Sequence, residues 1–129
     1  MIGYALVGSN DLPKALAFYD ALFGTIGVKR LWDMADRGAS WGVSWDKPSL
    51  GVCKPYDGNP ASAGNGTMIG LTVDARAKVD ALHAKAIELG GSDEGEPGLR
   101  GDPSHGFYGA YFRDLDGNKL CVFRMGPAD

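Results

Sequence analysis

The sequence is poor in several things, and each shortage removes a class of explanation. It holds two cysteines, Cys53 and Cys121, in 129 residues, too few for a disulfide framework. Two reduced thiols, packing as small apolar side chains in a cytoplasmic protein, are the simplest expectation. No apolar run approaches the ~20 residues that cross a bilayer. Met1-Ile2-Gly3-Tyr4 has neither the positive region nor the apolar stretch of a signal peptide. Its 13 lysines and arginines are scattered, and the net charge is −3. Nucleic-acid affinity comes from clustered cations that neutralise phosphates, so neither a membrane nor a nucleic acid is an expected partner.

Glycine, in contrast, is plentiful: 20 residues, with no period. That distribution excludes collagen and low-complexity repeats and suggests many short strands joined by tight turns. The length suits one domain, 1–129, able to bury its own core.

Along the chain, Ile2 to Gly8 reads as a buried strand. Ser9-Asn10-Asp11 offers side-chain acceptors to the free amides of a helix start, and Pro13 falls in the first turn, where a missing N–H is tolerated. Leu12, Ala15, Leu16, Tyr19, Leu22 and Phe23 recur at helical spacing. Gly24 is the expected stop. Three strand-like segments follow: Val28 to Ala35, Ser40 to Trp45 with Trp41, Val43 and Trp45 expected on one face, and Leu50 to Tyr56.

Residues 57–66, DGNPASAGNG, are a linker made of turn-forming residues. The pattern then restarts. Thr67 to Val73 predicts a strand, and Ala75 to Leu89 predicts a helix closed by Gly90-Gly91. An irregular stretch, 92–106, has room for one short strand and a loop. Phe107 to Arg113 and Lys119 to Arg124 flank Asp114-Leu115-Asp116-Gly117-Asn118, and Asp-Gly between strand patterns signals a hairpin. The chain therefore reads as two copies of a β-α-β-β-β unit, about 1–56 and 67–126, of α+β class. Each helix covers one face of its sheet from outside, and two curved sheets that bury their other faces leave a cup suited to a small molecule.

Two stretches carry a family resemblance. Gly8-Ser9-Asn10-Asp11-Leu12 with Ala17-Phe18-Tyr19 is similar to the opening of vicinal-oxygen-chelate proteins, the superfamily of glyoxalases, bleomycin-resistance proteins and extradiol dioxygenases. Phe112-Arg113-Asp114-Leu115-Asp116-Gly117-Asn118 resembles its final hairpin, F-x-D-P-D-G-N. Gly64-Asn65-Gly66-Thr67 and Gly95-Glu96-Pro97-Gly98-Leu99-Arg100 look like a bacterial glyoxalase-like branch. The resemblance spans essentially the whole chain. It implies paired βαβββ modules, commonly a homodimer, around a divalent metal held by His, Gln or Glu, with open positions left for substrate oxygens.

The ligand positions depart from that pattern. Tyr4 stands where His is usual, Met68 at the matching place in the second half, and Cys121 where Glu is expected; Leu50-Gly51-Val52-Cys53-Lys54 carries no carboxylate. Tyr, Met and Cys suit the family's ions poorly, so no family-type metal site and no cofactor are expected.

Individual residues keep two readings each. Cys53 and Cys121, at roughly equivalent places in the two halves, line the cup as a thiol pair or pack inertly. His105, in a loop before a strand, is the catalytic candidate for proton transfer or substrate binding; its alternative is an ordinary surface histidine. His83 reads as an edge-of-helix residue. Tyr4 donates its hydroxyl to a ligand or fills the empty metal position with Met68. Trp41, Trp45, Tyr108 and Tyr111 stack on a planar ligand, or belong to sheet core and dimer contact. Asp114 and Asp116 sit where a tight turn uses carboxylates for its own backbone.

Three functions are open. The first is metal-independent binding of a small organic molecule by a homodimer. The second is a lactoylglutathione-lyase-like lyase, isomerase or dioxygenase rearranged around His105. The third is a degenerate interaction module.

Overall fold

The computed structural model describes residues 1–128. The first module is β1 (Tyr4–Gly8), α1 (Leu12–Gly24), β2 (Lys29–Asp33), β3 (Gly38–Gly42) and β4 (Ser49–Cys53). The second is β5 (Ile69–Thr72), α2 (Arg76–Glu88), β6 (Ser92–Leu99), β7 (Phe107–Arg113) and β8 (Lys119–Met125), with a 3₁₀ turn at Pro103–His105. Each module forms a four-stranded sheet, β1-β4-β3-β2 and β5-β8-β7-β6. In each, one parallel pair, β1 with β4 or β5 with β8, adjoins antiparallel neighbours. The duplicated α+β plan is therefore present in full.

Local chemistry explains the helices. Asp11 caps α1, its side chain accepting from the Lys14 amide at 3.3 Å, with Pro13 in the first turn. α1 ends at Gly24 as its sequence predicts; beyond it Gly27, at φ 72°, takes the left-handed turn, and the Val28 amide reaches back to the Phe23 carbonyl. At the end of α2, Gly90 takes φ 101° and the Gly91 amide bonds the Ala86 carbonyl, the glycine-closed ending its sequence predicts.

Leu12, Ala15, Phe18, Tyr19, Leu22 and Phe23 of α1 share a single core with Val79, Leu82 and Ala86 of α2 and with one face of each sheet. α1 covers its own sheet, α2 covers the other, and the two helices touch. Burying this apolar surface once, for both modules together, is the main stabilising term.

Polar groups lock the halves where the core ends. Asp114, buried in the β7–β8 turn, accepts from the Tyr19 hydroxyl at 2.6 Å, from the amides of Asp116 and Asn118, and from the Asn118 side chain. Burial, reinforced by the charge of Asp114, pushes the Tyr19 hydroxyl pKa far up. The Asn118 amide group also donates to the Gly8 carbonyl, and the Asn10 amide donates to Asp116. Asn10 then exchanges two bonds with Ala61, pinning the linker over the end of β1.

Candidate functional site

The face of each sheet away from the core is its open face. Alternation along β1 puts Ala5 and Val7 against the core and leaves Tyr4 and Leu6 outside. Tyr4 is 69% exposed. A cavity of about 380 Å³ lies over this face of the first sheet, lined by Tyr4, Leu6, Leu31, Trp32, Met34, Ser40, Trp45, Lys47, Ser49 and Gly51. All belong to the first module, so the hollow is one-sided within a single chain.

Its floor is low because the residues are small. A Cβ on Gly51 would stand 2.6 Å from the Leu6 Cδ2 and 3.4 Å from the Ser40 Cβ. Its walls are aromatic. A register shift in β2 between Arg30 and Trp32 leaves Leu31 as the extra residue, and both Leu31 and Trp32 reach the cavity. Among its lining residues, Trp32 and Trp45 pack against each other, tilted at 55° with ring centroids 5.9 Å apart. Trp45 is 72% exposed. Tyr4, the indole pair and a floor of Ser and Gly form an aromatic-lined slot, with Lys47 contributing the lining's single cation.

Trp41 does not share that slot. β3 ends at Gly42, so its alternation stops before Trp45. Trp41 is 2% exposed in the core and donates its indole N–H to Asp20 at 2.9 Å. Arg30 holds the same carboxylate through two bonds, and this hydrogen-bonded guanidinium is the main reason the Asp20 carboxyl lies below its ordinary pKa. Tyr108 is likewise on the core side of β7. Its hydroxyl donates to Asp80 at 2.7 Å, which raises its pKa, and Arg76 lies 5.1 Å from its ring.

Cys53 and Cys121 are not at equivalent positions. The pairings Leu6–Gly51 and Gly70–Cys121 make Gly51 the counterpart of Cys121, and Cys53 the counterpart of Phe123. The half-buried Cys53 ends β4, whereas Cys121 is buried beside Tyr111 on the open face of the second sheet. Burial raises the pKa of Cys121 despite the opposing influence of Tyr111, Arg100 and Lys119, which leaves it a thiol at neutral pH.

Met68 precedes β5 and lines a different hollow of about 510 Å³ between the modules, with Ile2, Phe23, Ile26, Val43 and Leu71 among its neighbours. His105 is exposed on the 3₁₀ turn and lines neither cavity. His83 packs on α2 with Nε2 3.0 Å from Asp93, whose carboxyl is lowered first by the Gly95 amide and then by this contact. Tyr4 and Trp45 are thus brought together, while Met68, Cys121 and His105 lie elsewhere. Leu6 was readable from β1 alternation; Trp32 was not, since no sequence signal marks the β2 bulge.

Metal fit follows from the donor set. Among the described residues no three His, Cys, Asp or Glu side chains converge. A phenol, a thioether and a protonated thiol at the family's ligand positions do not fit a hard or borderline divalent ion. Among the described residues no helix is long and apolar enough to cross a membrane.

The glyoxalase/bleomycin resistance protein/dioxygenase superfamily profile matches residues 1–122. A glyoxalase/bleomycin resistance protein from Albidiferax ferrireducens T118 is 34% identical, with a TM-score of 0.84 over 98% of this chain and 99% of that one. Lactoylglutathione lyase from Agrobacterium tumefaciens is 21% identical, TM-score 0.67, over 96% and 92%. TioX from Micromonospora sp. ML1 is 17% identical, TM-score 0.66, over 98% and 99%. At those identities the last two show likeness of fold alone. No curated protein matches the chain. The superfamily usually binds a divalent metal, and the donor set of this chain departs from that habit. With the profile covering nearly the whole length and a relative one-third identical over both full chains, the protein belongs to the glyoxalase/bleomycin resistance protein/dioxygenase superfamily.

Proposed function

We propose that the protein binds a small organic molecule with a planar, apolar body on the open face of its first sheet, without the superfamily's metal, and that it does so as a homodimer in the cytoplasm. One observation carries the reading: Tyr4, Trp32 and Trp45 stand exposed around a hollow whose floor is Ser40, Ser49 and Gly51. Large exposed aromatics around a concave surface are costly in water unless something covers them. The 34% identical relative is named a glyoxalase/bleomycin resistance protein, and sequestration suits a pocket built for stacking rather than for proton transfer. A lyase or dioxygenase reaction through His105 lacks such support, because that residue lines neither cavity.

The second copy of the chain enters through the same surface. Tyr4, Leu6, Trp32 and Trp45 are all exposed around the hollow, a concentration of apolar surface expected at protein interfaces. A one-sided cavity also needs a lid.

The reading is tested by titrating the purified protein with naphthalene and quinoline probes while following tryptophan fluorescence, alongside metal analysis and sedimentation. Saturable quenching by a dimer free of stoichiometric metal is expected. Stoichiometric Zn, Ni, Fe or Mn bound through Tyr4 or Cys121 would remove the metal-free claim, and absence of saturable binding would remove the ligand claim.

A further inference from the structure

The open face of the second sheet has a different chemistry, and it names a ligand class. Tyr111 on β7 pairs directly with Cys121 on β8, and two cations gather on the tyrosine ring. The Arg100 guanidinium lies 5.4 Å from the ring centroid and the Lys119 ammonium 5.9 Å from it. Among the described residues neither has a carboxylate within ion-pair distance. Arg113, directly opposite Lys119 in the ladder, does have one: Glu94 at 2.6 Å.

Arg100 is seated by the backbone around it. One Nη donates to the Glu96 carbonyl at 2.6 Å and the other to the Leu99 carbonyl at 3.3 Å. A Cβ on Gly95 would stand 2.9 Å from the Tyr111 ring and 3.3 Å from one Nη of Arg100; on Gly98 it would stand 3.0 Å from the other. The register shifts of β6 fall at these glycines. Strand irregularity here makes room for a guanidinium, and the bonds to carbonyls fix its position without cancelling its charge. Arg100 is thus a seated positive charge beside Tyr111, Lys119 adds a second near the same ring, and no acid among the described residues neutralises either, which favours an anionic ligand here.

Farther along the same face, Phe107 and Phe123 stack with centroids 5.1 Å apart at 10°. Lys119 and Phe123 are four positions apart on β8, about 13 Å at ~3.3 Å per residue. One end of the face is cationic and the other is aromatic.

We propose that the open face of the second sheet is an organic-anion site, in which Arg100 and Lys119 hold the carboxylate of an acid whose aromatic body lies toward Phe107 and Phe123. The inference rests on the reading that an open sheet face of this chain binds a small organic molecule, and it extends that reading to the second sheet with an anionic ligand. Binding is non-covalent. The Cys121 thiol supports Tyr111 and takes no part as a nucleophile.

The test is calorimetric titration of the intact protein with 3-phenylpropionate and its neutral amide, in low and high salt, for wild type, Arg100→Gln and Lys119→Gln. Wild type is expected to bind the acid about tenfold more tightly than the amide, since charge-assisted bonds are roughly twice as strong as neutral ones. Added salt should erode the preference, and either substitution should abolish it by weakening the acid far more than the amide. Lys119→Gln replaces a partly exposed side chain, so it reports even if Arg100→Gln does not fold. Equal affinity for acid and amide in wild type, or a preference that survives in Lys119→Gln, overturns the anion site and leaves the small-molecule reading standing. Absence of binding by either compound also overturns the anion site, while the first-face reading stands or falls separately with the naphthalene and quinoline titration.

Discussion

The two modules share topology, helix length and the register of their parallel strand pairs, yet their open faces are finished in opposite ways. In the first, β1 contributes the large Leu6 and β4 contributes only Gly51 opposite it. In the second, β5 contributes Gly70 and β8 contributes Cys121. The first face is hollow, apolar and walled by indoles; the second is filled by Tyr111, Phe107 and Phe123 and topped by Arg100 and Lys119. A duplicated frame thus fixes where side chains can stand without fixing what they do. The core-facing residues of both modules have one task, burial against the helices, and remain alike. The outward-facing ones have none imposed by folding, and there the halves diverge.

The largest expected effect comes from breaking the seam that holds the modules together. Asp114→Ala leaves the buried Tyr19 hydroxyl and two turn amides without their acceptor, and should cost about 3 kcal/mol or more in urea unfolding. Tyr19→Phe removes a single bond from the same node and should cost about 1 kcal/mol. Equal losses would mean that the turn does not depend on Asp114.

Making the first face resemble the second is the next test. Gly51→Cys places a side chain within 2.6 Å of Leu6, so Leu6 must lift into the cavity, at a cost of about 1–2 kcal/mol for overpacking. Aromatic probe binding should fall at least as sharply as stability. Unchanged binding would move the ligand away from this floor.

A smaller effect separates the tryptophans. Trp45→Ala should weaken probe binding while changing stability by no more than ~0.5 kcal/mol, because the side chain is exposed. Trp41→Ala should do the reverse, at about 3 kcal/mol or more in stability.

The smallest effect concerns pH. Asp20 has a folded pKa below its ordinary value, chiefly through Arg30. Its contribution is therefore present above the unfolded value of ~3.9 and is lost as pH falls through the lowered one. The stability difference between wild type and Asp20→Asn should hold from neutrality to about pH 5 and shrink below about pH 4. A constant difference across that range would show that the pairing with Arg30 adds nothing.

Much of this was legible in the sequence, and the exceptions share a cause. Both helices, the linker and the Asp-Gly hairpin follow from local chemistry: a cap, a spacing, a turn residue. The sequence expectation failed where faces are decided by backbone irregularity. Trp41, Val43 and Trp45 look like one face only if the strand continues, and it stops at Gly42. Leu31 and Trp32 are neighbours that would point apart in a regular strand, and the β2 bulge lets both reach the hollow. The 92–106 stretch, expected to hold one short strand, contains the eight-residue β6, whose Gly- and Pro-rich register shifts hide it. For Tyr108 the sequence leaves ligand stacking and sheet core both open, and the structure packs it against the core, since one register step separates the two faces of β7. His105 reads as a catalytic candidate because it is an imidazole in a loop, and its place on the 3₁₀ turn keeps it from both cavities.

The central claim, that the hollow between Tyr4, Trp32 and Trp45 is the binding site, is tested most directly by fluorescence titration of wild type, Trp32→Phe, Trp45→Phe and the double variant with a quinoline probe. Saturable quenching in wild type that loses most of its amplitude when both exposed indoles are replaced, with buried Trp41 contributing little, is the predicted result. Quenching that persists undiminished in the double variant, or that never saturates, would contradict it.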